Sequence, residues 1–385
     1  MQQHWVHSWA AMQQPAKATN LPSESFTLRQ TARLSLGTSS HIRLRLSNAF
    51  GDRPLTIAKA TIARSADNAS GTNAVQPDTL HPLTFSGDPE ACIPAGALVV
   101  SDPINIGGLP PATAVSISLF LPDGQLPGGI VTLHPGSRTT SWYYISGIEI
   151  LVPRESSAFV LIGDSITDGR GSKTNGDTRW PDLLFSRLQT QPHEETSNSA
   201  PSISLINQSA GGNCVLEDSS GGPSVLARLD RDVLSLSGVR FAMIFEGVND
   251  IGIAPPDPKI QAIIEKRLIA GYVQIATRLK AAGIFVAFAT LTPFGAPREE
   301  DEGSNRDTTP YSHPVRELTR QRVNNWIRGH SPAVFDAVVD FDAVLRDPED
   351  SSVLAREYDS GDHLHPNQAA FQALANHFPI DVFCL

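Results

Sequence analysis

The sequence predicts two successive domains, an all-β sandwich followed by a layered α/β domain, and three observations predict it. Residues 1–150 carry short alternating or apolar runs punctuated by Gly, Pro, Asn and Asp at roughly ten-residue intervals, with almost no helical periodicity. From residue 157 onward, short apolar runs alternate with stretches of helical periodicity. Several of these later runs break into polar clusters, which a parallel sheet would gather at one rim. At 385 residues either half can bury its own core.

In the first half, Ile42-Arg-Leu-Arg-Leu46 and Val115-Ser-Ile-Ser-Leu-Phe-Leu121 read as strands, as do the shorter Leu55-Thr-Ile57 and Leu98-Val-Val100. They predict a jelly-roll-like sandwich over residues 1–152, with Pro153-Arg-Glu-Ser-Ser157 as the junction to a domain over 153–385. The second domain begins with Ala158-Phe-Val-Leu-Ile162, which stops at Gly163-Asp-Ser165 and restarts as a helix near Trp180. Further strands are expected at Ser204–Asn207, Phe241–Phe245, Ile284–Ala289 and Val334–Phe341. A helix from Lys259 to Ala282 aligns Ile260, Ile263, Ile264, Leu268, Tyr272, Ile275 and Leu279 on one face, and Gly283 is a natural stop. A second, from His313 to Arg328, points Val315, Leu318, Trp326 and Ile327 inward. The alternation implies a three-layer, doubly wound domain of the flavodoxin-like kind.

Charge and cysteine usage narrow the partners. A formal net charge of −10 argues against nucleic acid or an anionic membrane surface. No apolar stretch approaches the roughly 18 residues of a membrane span. Cys92, Cys214 and Cys384 are odd in number and widely spaced, which predicts three free, buried thiols and no zinc or redox pair. Asn68-Ala-Ser70 is an acceptable glycosylation sequon. Met1-Gln-Gln-His-Trp has neither the basic region nor the apolar core of a leader, which favours the cytoplasm if Met1 is the native start.

The polar clusters carry the chemistry. Ser165, just past a strand, is a candidate nucleophile, and a serine hydroxyl needs a neighbouring base. His365 in Asp359-Ser-Gly-Asp362-His-Leu-His365-Pro366 is the best base, with Asp362 three residues earlier to accept its other ring proton. His363 has the wrong spacing and is expected to be exposed. Two further clusters are Gln208-Ser-Ala-Gly-Gly-Asn213 and Glu246-Gly-Val-Asn249-Asp250. Gly247, Asp250 and Asp164 are read as holding turns.

With Gly-Asp-Ser, Gly-x-Asn-Asp and Asp-x-x-His-Pro in this order, the chain resembles the GDSL esterases, or SGNH hydrolases, over about residues 158–378. The resemblance implies oxyanion donors at the Ser165 N–H, the Gly212 N–H and the Asn249 amide, Gly212 rather than Gly211 because the family places that glycine directly before an Asn, here Asn213. It implies a metal-independent serine esterase with no cofactor. The expected substrate is a small-molecule or carbohydrate ester bearing a short, acetyl-like acyl group. An acyltransferase or a lipase is the alternative. The first half resembles the β domain that precedes some of these hydrolases, on Ile42–Asn48 and on Gly136-Ser-Arg138-Thr-Thr-Ser-Trp142. Arg138 or Trp142 is there a candidate for substrate or interdomain contact. Such relatives are generally secreted, against the N-terminal reading. A monomer without membrane insertion is expected.

Competing motifs fail. There is no G-x-S-x-G elbow, His193-Glu-Glu lacks a second zinc-binding His, and Gly169-Arg-Gly-Ser-Lys-Thr174 lacks the register of a phosphate loop. The acidic stretch from Gly295 to Ser312 is a candidate for shaping the substrate entrance.

Overall fold

The computed structural model describes residues 2–18, 21–38, 40–125, 128–135, 141–190, 202–296 and 311–384. Two compact units result: Met1–Phe159 with Pro201–Asn207 and Leu236–Val239, and Val160–Ala200 with Gln208–Ser235 and Arg240–Leu385.

The first unit is built from antiparallel sheets. One runs in the order Gln3–Ala10, Ile145–Pro153, His41–Ser47, Ile104–Asn105, with Leu98–Val100 also on His41–Ser47. Another runs Phe26–Arg33, Ala114–Leu121, Lys59–Arg64, His81–Leu83. Alternation decides which side chains are covered: Ile42, Leu44 and Leu46 are buried while His41, Arg43 and Arg45 between them are partly exposed. Trp142 packs within this unit, its ring 5.7 Å from those of Trp9 and His134 and its Nε1 donating to the Thr31 carbonyl at 2.8 Å. Arg138 lies outside the described residues.

A five-stranded parallel sheet with helices forms the α/β part of the chain. Its strands, Ser157–Gly163, Ile203–Asn207, Val239–Phe245, Phe285–Ala289 and Ala337–Val339, lie in the spatial order 2-1-3-4-5 of a doubly wound fold. The helices are α1 (Ser165–Asp168), α2 (Trp180–Thr190), α3 (Val225–Leu229), α4 (Val248–Ile253), α5 (Pro258–Ala281), α6 (Pro314–Gly329), α7 (Phe341–Leu345) and α8 (Gln368–His377). Every residue of Ser157–Gly163 is buried, as a strand covered on both faces requires. Among the described residues no helix is long and apolar enough to cross a membrane.

Four details depart from expectation. Ile260 and Ile263 on α5 are exposed, at 37% and 57%. The helix is 24 residues long, about 36 Å, and packs on a five-residue strand of about 17 Å, so its first turns overhang. Leu318 on α6 points outward, 47% exposed, because the inward face there is polar: buried Arg320 pairs with Glu317 and Asp342 and donates to the carbonyls of Leu291 and Ser351. The fifth strand is only Ala337–Val339, since Asp340 caps α7 through the Ala343 N–H. Cys92 and Cys384 are free but exposed, Cys92 on the outer side of a three-residue strand, and only Cys214 is buried.

Candidate active site

The Ser157–Gly163 strand ends where a side chain no longer fits: a Cβ at Gly163 would lie 2.9 Å from the Phe245 carbonyl. Asp164 then caps α1, its Oδ1 accepting the Ile166 N–H at 2.9 Å. Ser165 is the first residue of that helix. Its Oγ is 2.8 Å from His365 Nε2, and His365 Nδ1 is 2.7 Å from Asp362 Oδ2. A carboxylate only accepts, so Nδ1 carries the ring proton, Nε2 is the free acceptor, and the Ser165 hydroxyl donates to it. Asp362 Oδ1 also accepts the N–H groups of Leu364 and His365. Burial opposes the charge on Asp362, but these hydrogen bonds and the imidazole hold its carboxyl well below the usual range.

His363 is not exposed as expected but half-buried, because its Nδ1 pairs with Asp359 at 2.5 Å.

The two other clusters arrive from neighbouring strands. Gly212 has φ +77, which favours glycine, whereas the N–H of Gly211 is taken by Asp168 Oδ2 at 3.2 Å. Among the described residues neither the Ser165 N–H nor the Gly212 N–H has a protein acceptor. Asn249 Nδ2 donates to the Asn213 carbonyl at 2.8 Å, its second N–H has no acceptor among the described residues, and Tyr311 Oη donates to Asn249 Oδ1 at 2.8 Å. Gly247 has φ +135, and a Cβ there would stand 2.4 Å from Tyr272 Oη. Asp250 holds the facing loop, accepting the N–H groups of Val215 and Leu216, both at 2.9 Å. Asn213 ties the same loop down, donating to the carbonyls of Gly221 and Pro223 and accepting from buried Arg228.

Beneath these groups lie three buried carboxyls. Burial pushes Asp164 up to about 7, against the Ile166 N–H and with help from Asp250 and Asp168. Burial pushes Asp250 up to about 6 despite its two backbone donors. Glu246 is driven well above the usual range by burial and then by Asp164, and neither of its oxygens has a partner among the described residues. Among the described residues no group of three or more His, Cys, Asp or Glu side chains could hold a metal ion.

A second Ser, His and acid set, in the first unit, does not have the geometry for nucleophilic chemistry. Ser237 Oγ donates to Glu149 at 2.6 Å rather than to the imidazole, and His7 accepts from the Ser237 N–H. His7 is fully buried, and burial first of all pushes it down to about 3.

Sequence reading named Ser165, Asp362, His365, Gly212 and Asn249 and missed Tyr311, which ends a polar stretch with no pattern to single it out. Most of that stretch, 297–310, lies outside the described residues.

A search of curated proteins finds no match. Among solved structures, the chain is similar to a GDSL-like lipase from Bacteroides thetaiotaomicron VPI-5482 at 18% identity, covering 58% of this chain and 86% of that one, with a TM-score of 0.38. It is similar to LAE5, an α/β hydrolase enzyme from the metagenome of Lake Arreo, Spain, at 20% identity over 58% and 93% of the two chains and a TM-score of 0.38. Similarity to the psychrotrophic esterase EstA from Pseudoalteromonas sp. is 18% over 58% and 94%, with a TM-score of 0.36. The family model of GDSL-like lipases and acylhydrolases matches residues 161–373, more than half of the chain, and the protein belongs to that family.

Proposed function

We propose that this acylhydrolase is a serine esterase that removes short acyl groups, acetyl above all, from a carbohydrate or another oxygenated small molecule. The hydrogen-bonded line from Ser165 through His365 to Asp362 carries the reading. His365 Nε2 takes the Ser165 proton as Oγ attacks the acyl carbon, and Asp362 stabilises the imidazolium. The developing oxyanion is met by the Ser165 and Gly212 N–H groups and the Asn249 amide. His365 returns the proton to the leaving alkoxide, leaving an acyl-serine. A water, deprotonated by the same imidazole, then attacks the acyl carbon, releasing the acid and restoring the hydroxyl. The residues 153–385 would form the hydrolase domain and 1–152 an accessory β domain.

The composition of the walls supports a small acyl pocket and a polar substrate. The segments from Gly169 to Arg179, Gly211 to Pro223 and Ile251 to Pro258 are dominated by Gly, Ser, Asp and Pro. One observation favours a longer chain instead: Ile253, which closes α4, is 59% exposed. Comparing kcat/KM for p-nitrophenyl acetate, butyrate, octanoate and palmitate tests the choice. A maximum at acetate is expected, and a maximum at octanoate or beyond overturns it. Ser165→Ala should abolish turnover and fluorophosphonate labelling while the protein stays folded. Undiminished activity would remove Ser165 as the nucleophile. Product analysis with an added alcohol separates hydrolysis from acyl transfer.

A further inference from the structure

A carboxamide has two chemically different ends, so an asparagine that donates to an oxyanion works only if something fixes which end faces the substrate. Reversed, Asn249 would present Oδ1, an acceptor, to a developing negative charge. Two contacts determine its orientation. The Asn213 main-chain carbonyl is purely an acceptor, so the atom 2.8 Å from it must be Nδ2. Oδ1 then faces the Tyr311 hydroxyl at 2.8 Å, and that hydroxyl must donate. We propose that Tyr311 is a positioning residue for the reaction, locking the Asn249 carboxamide with its free N–H toward the substrate oxygen and polarising it through Oδ1.

The surroundings are shaped to hold the phenol there. A Cβ at Gly252, three residues after Asn249, would land 1.9 Å from Tyr311 Cδ1 and 2.0 Å from Cε1. The absent side chain is the space that the ring occupies. Phe294 meets the same ring edge-on, with centroids 6.3 Å apart. The half-buried hydroxyl is pushed up to about 12, by burial first and then by the negative charge of Asp164, so it remains a donor across the range in which esterases are assayed. A donor to Oδ1 withdraws electron density from the amide and strengthens its N–H toward an anion. An amide pinned from both ends needs no reorganisation when charge develops.

This inference rests on the proposed role of Asn249, and the test separates the two. In Tyr311→Phe the ring still fills the space over Gly252 and only the hydroxyl is lost. Its kcat for p-nitrophenyl acetate should fall about 5–30-fold, with KM within about twofold, because the lost interaction acts on the transition state. Asn249→Ala should cost about 10²–10³-fold in kcat. The double variant should be no slower than Asn249→Ala alone, since the hydroxyl acts only through that amide. Affinity for an alkylboronic acid, a tetrahedral mimic, should fall in Tyr311→Phe by the same factor as kcat/KM. A large loss in Asn249→Ala with Tyr311→Phe within twofold of wild type overturns the positioning role and leaves the oxyanion reading standing. So does a double variant in which the two losses multiply. An Asn249→Ala variant with unchanged kcat overturns the oxyanion reading and this inference with it. Gly252→Ala, which forces the ring away, should reproduce the kcat loss of Tyr311→Phe while a thermal melt shows a folded protein.

Discussion

Within seven residues the chain builds two Asp–His pairs, and only one of them reaches the serine. Asp359 and His363 pair at 2.5 Å with four-residue spacing, and Asp362 and His365 at 2.7 Å with three-residue spacing. Both carboxylates also accept backbone N–H groups of the same turn. The chemistry of the pairs is the same, and their direction is not. His365 is buried and turns its free nitrogen to Ser165, whereas His363 sits at φ +58, a left-handed position, with its ring spent on Asp359. The bend that His363 makes brings the next pair round, so one pair shapes the turn and the other is available for proton transfer. An Asp–His pair is thus no evidence of catalysis until its second nitrogen has somewhere to go.

The comparison breaks most sharply if the roles are exchanged. His365→Ala should lower kcat by about 10⁴–10⁶-fold, since removal of one member of such a unit costs nearly as much as removal of all. Activity within tenfold of wild type would transfer the base role elsewhere. Asp362→Asn should cost about 10²–10⁴-fold by disturbing the tautomer while leaving the serine in place. Single-turnover kinetics should show the loss in acylation. The same variant has a pH signature. The folded Asp362 carboxyl titrates below its unfolded value, so its stabilisation is present above about pH 4 and lost as pH falls below that. The melting temperature of Asp362→Asn should therefore depend less on pH than wild type in that acid window.

Glu246 sharpens the contrast with a carboxyl that has no hydrogen-bond partner among the described residues. Its folded titration is raised, so the sign reverses: the folded state is favoured at low pH and loses that advantage as pH rises above about 4. Glu246→Gln should melt close to wild type at pH 4 and progressively higher than wild type toward pH 9, by a few degrees. Asp164 and Asp250, raised to about 7 and 6, would leave part of the slope in place. Parallel melting curves across that range would mean that Glu246 does not titrate with folding. The smallest effect belongs to the other histidine. His363→Gln should change kcat by less than about threefold and cost about 1 kcal/mol of stability for the lost hydrogen bond. A loss as large as that of His365→Ala would abolish the distinction between the pairs.

Much of this was legible in the sequence where polar clusters follow strands. Ser165 and His365 are 200 positions apart, yet each stands beside a recognisable turn, and a parallel sheet delivers such turns to a common rim. Inward faces made of charge were not legible. Periodicity counts apolar residues, so it turned Leu318 inward, whereas Arg320 and Glu317 occupy that side and are satisfied by Asp342 and by carbonyls distant in sequence. Pattern alone cannot tell a buried, paired arginine from a solvated one. Tyr311 was invisible for a related reason: its place is defined by a glycine 59 positions earlier, and nothing in the local composition records that fit. The thiols of Cys92 and Cys384 show the opposite error, a residue type usually buried that here faces outward.

Asp250 joins its own helix to the loop some 35 residues before it by taking the Val215 and Leu216 amide protons. In the time domain, those two protons should report on the sheet rather than on a surface loop. They should exchange with deuterated solvent as slowly as the protons of the Val239–Phe245 strand, because releasing them uncovers a buried carboxylate. Asn249 precedes Asp250, and Gly212 lies three residues before Val215, so the two candidate donors should open together, on the same slow clock. An enzyme held this way meets each new ester with its donors already in place, and turnover would not wait on the closing of that loop.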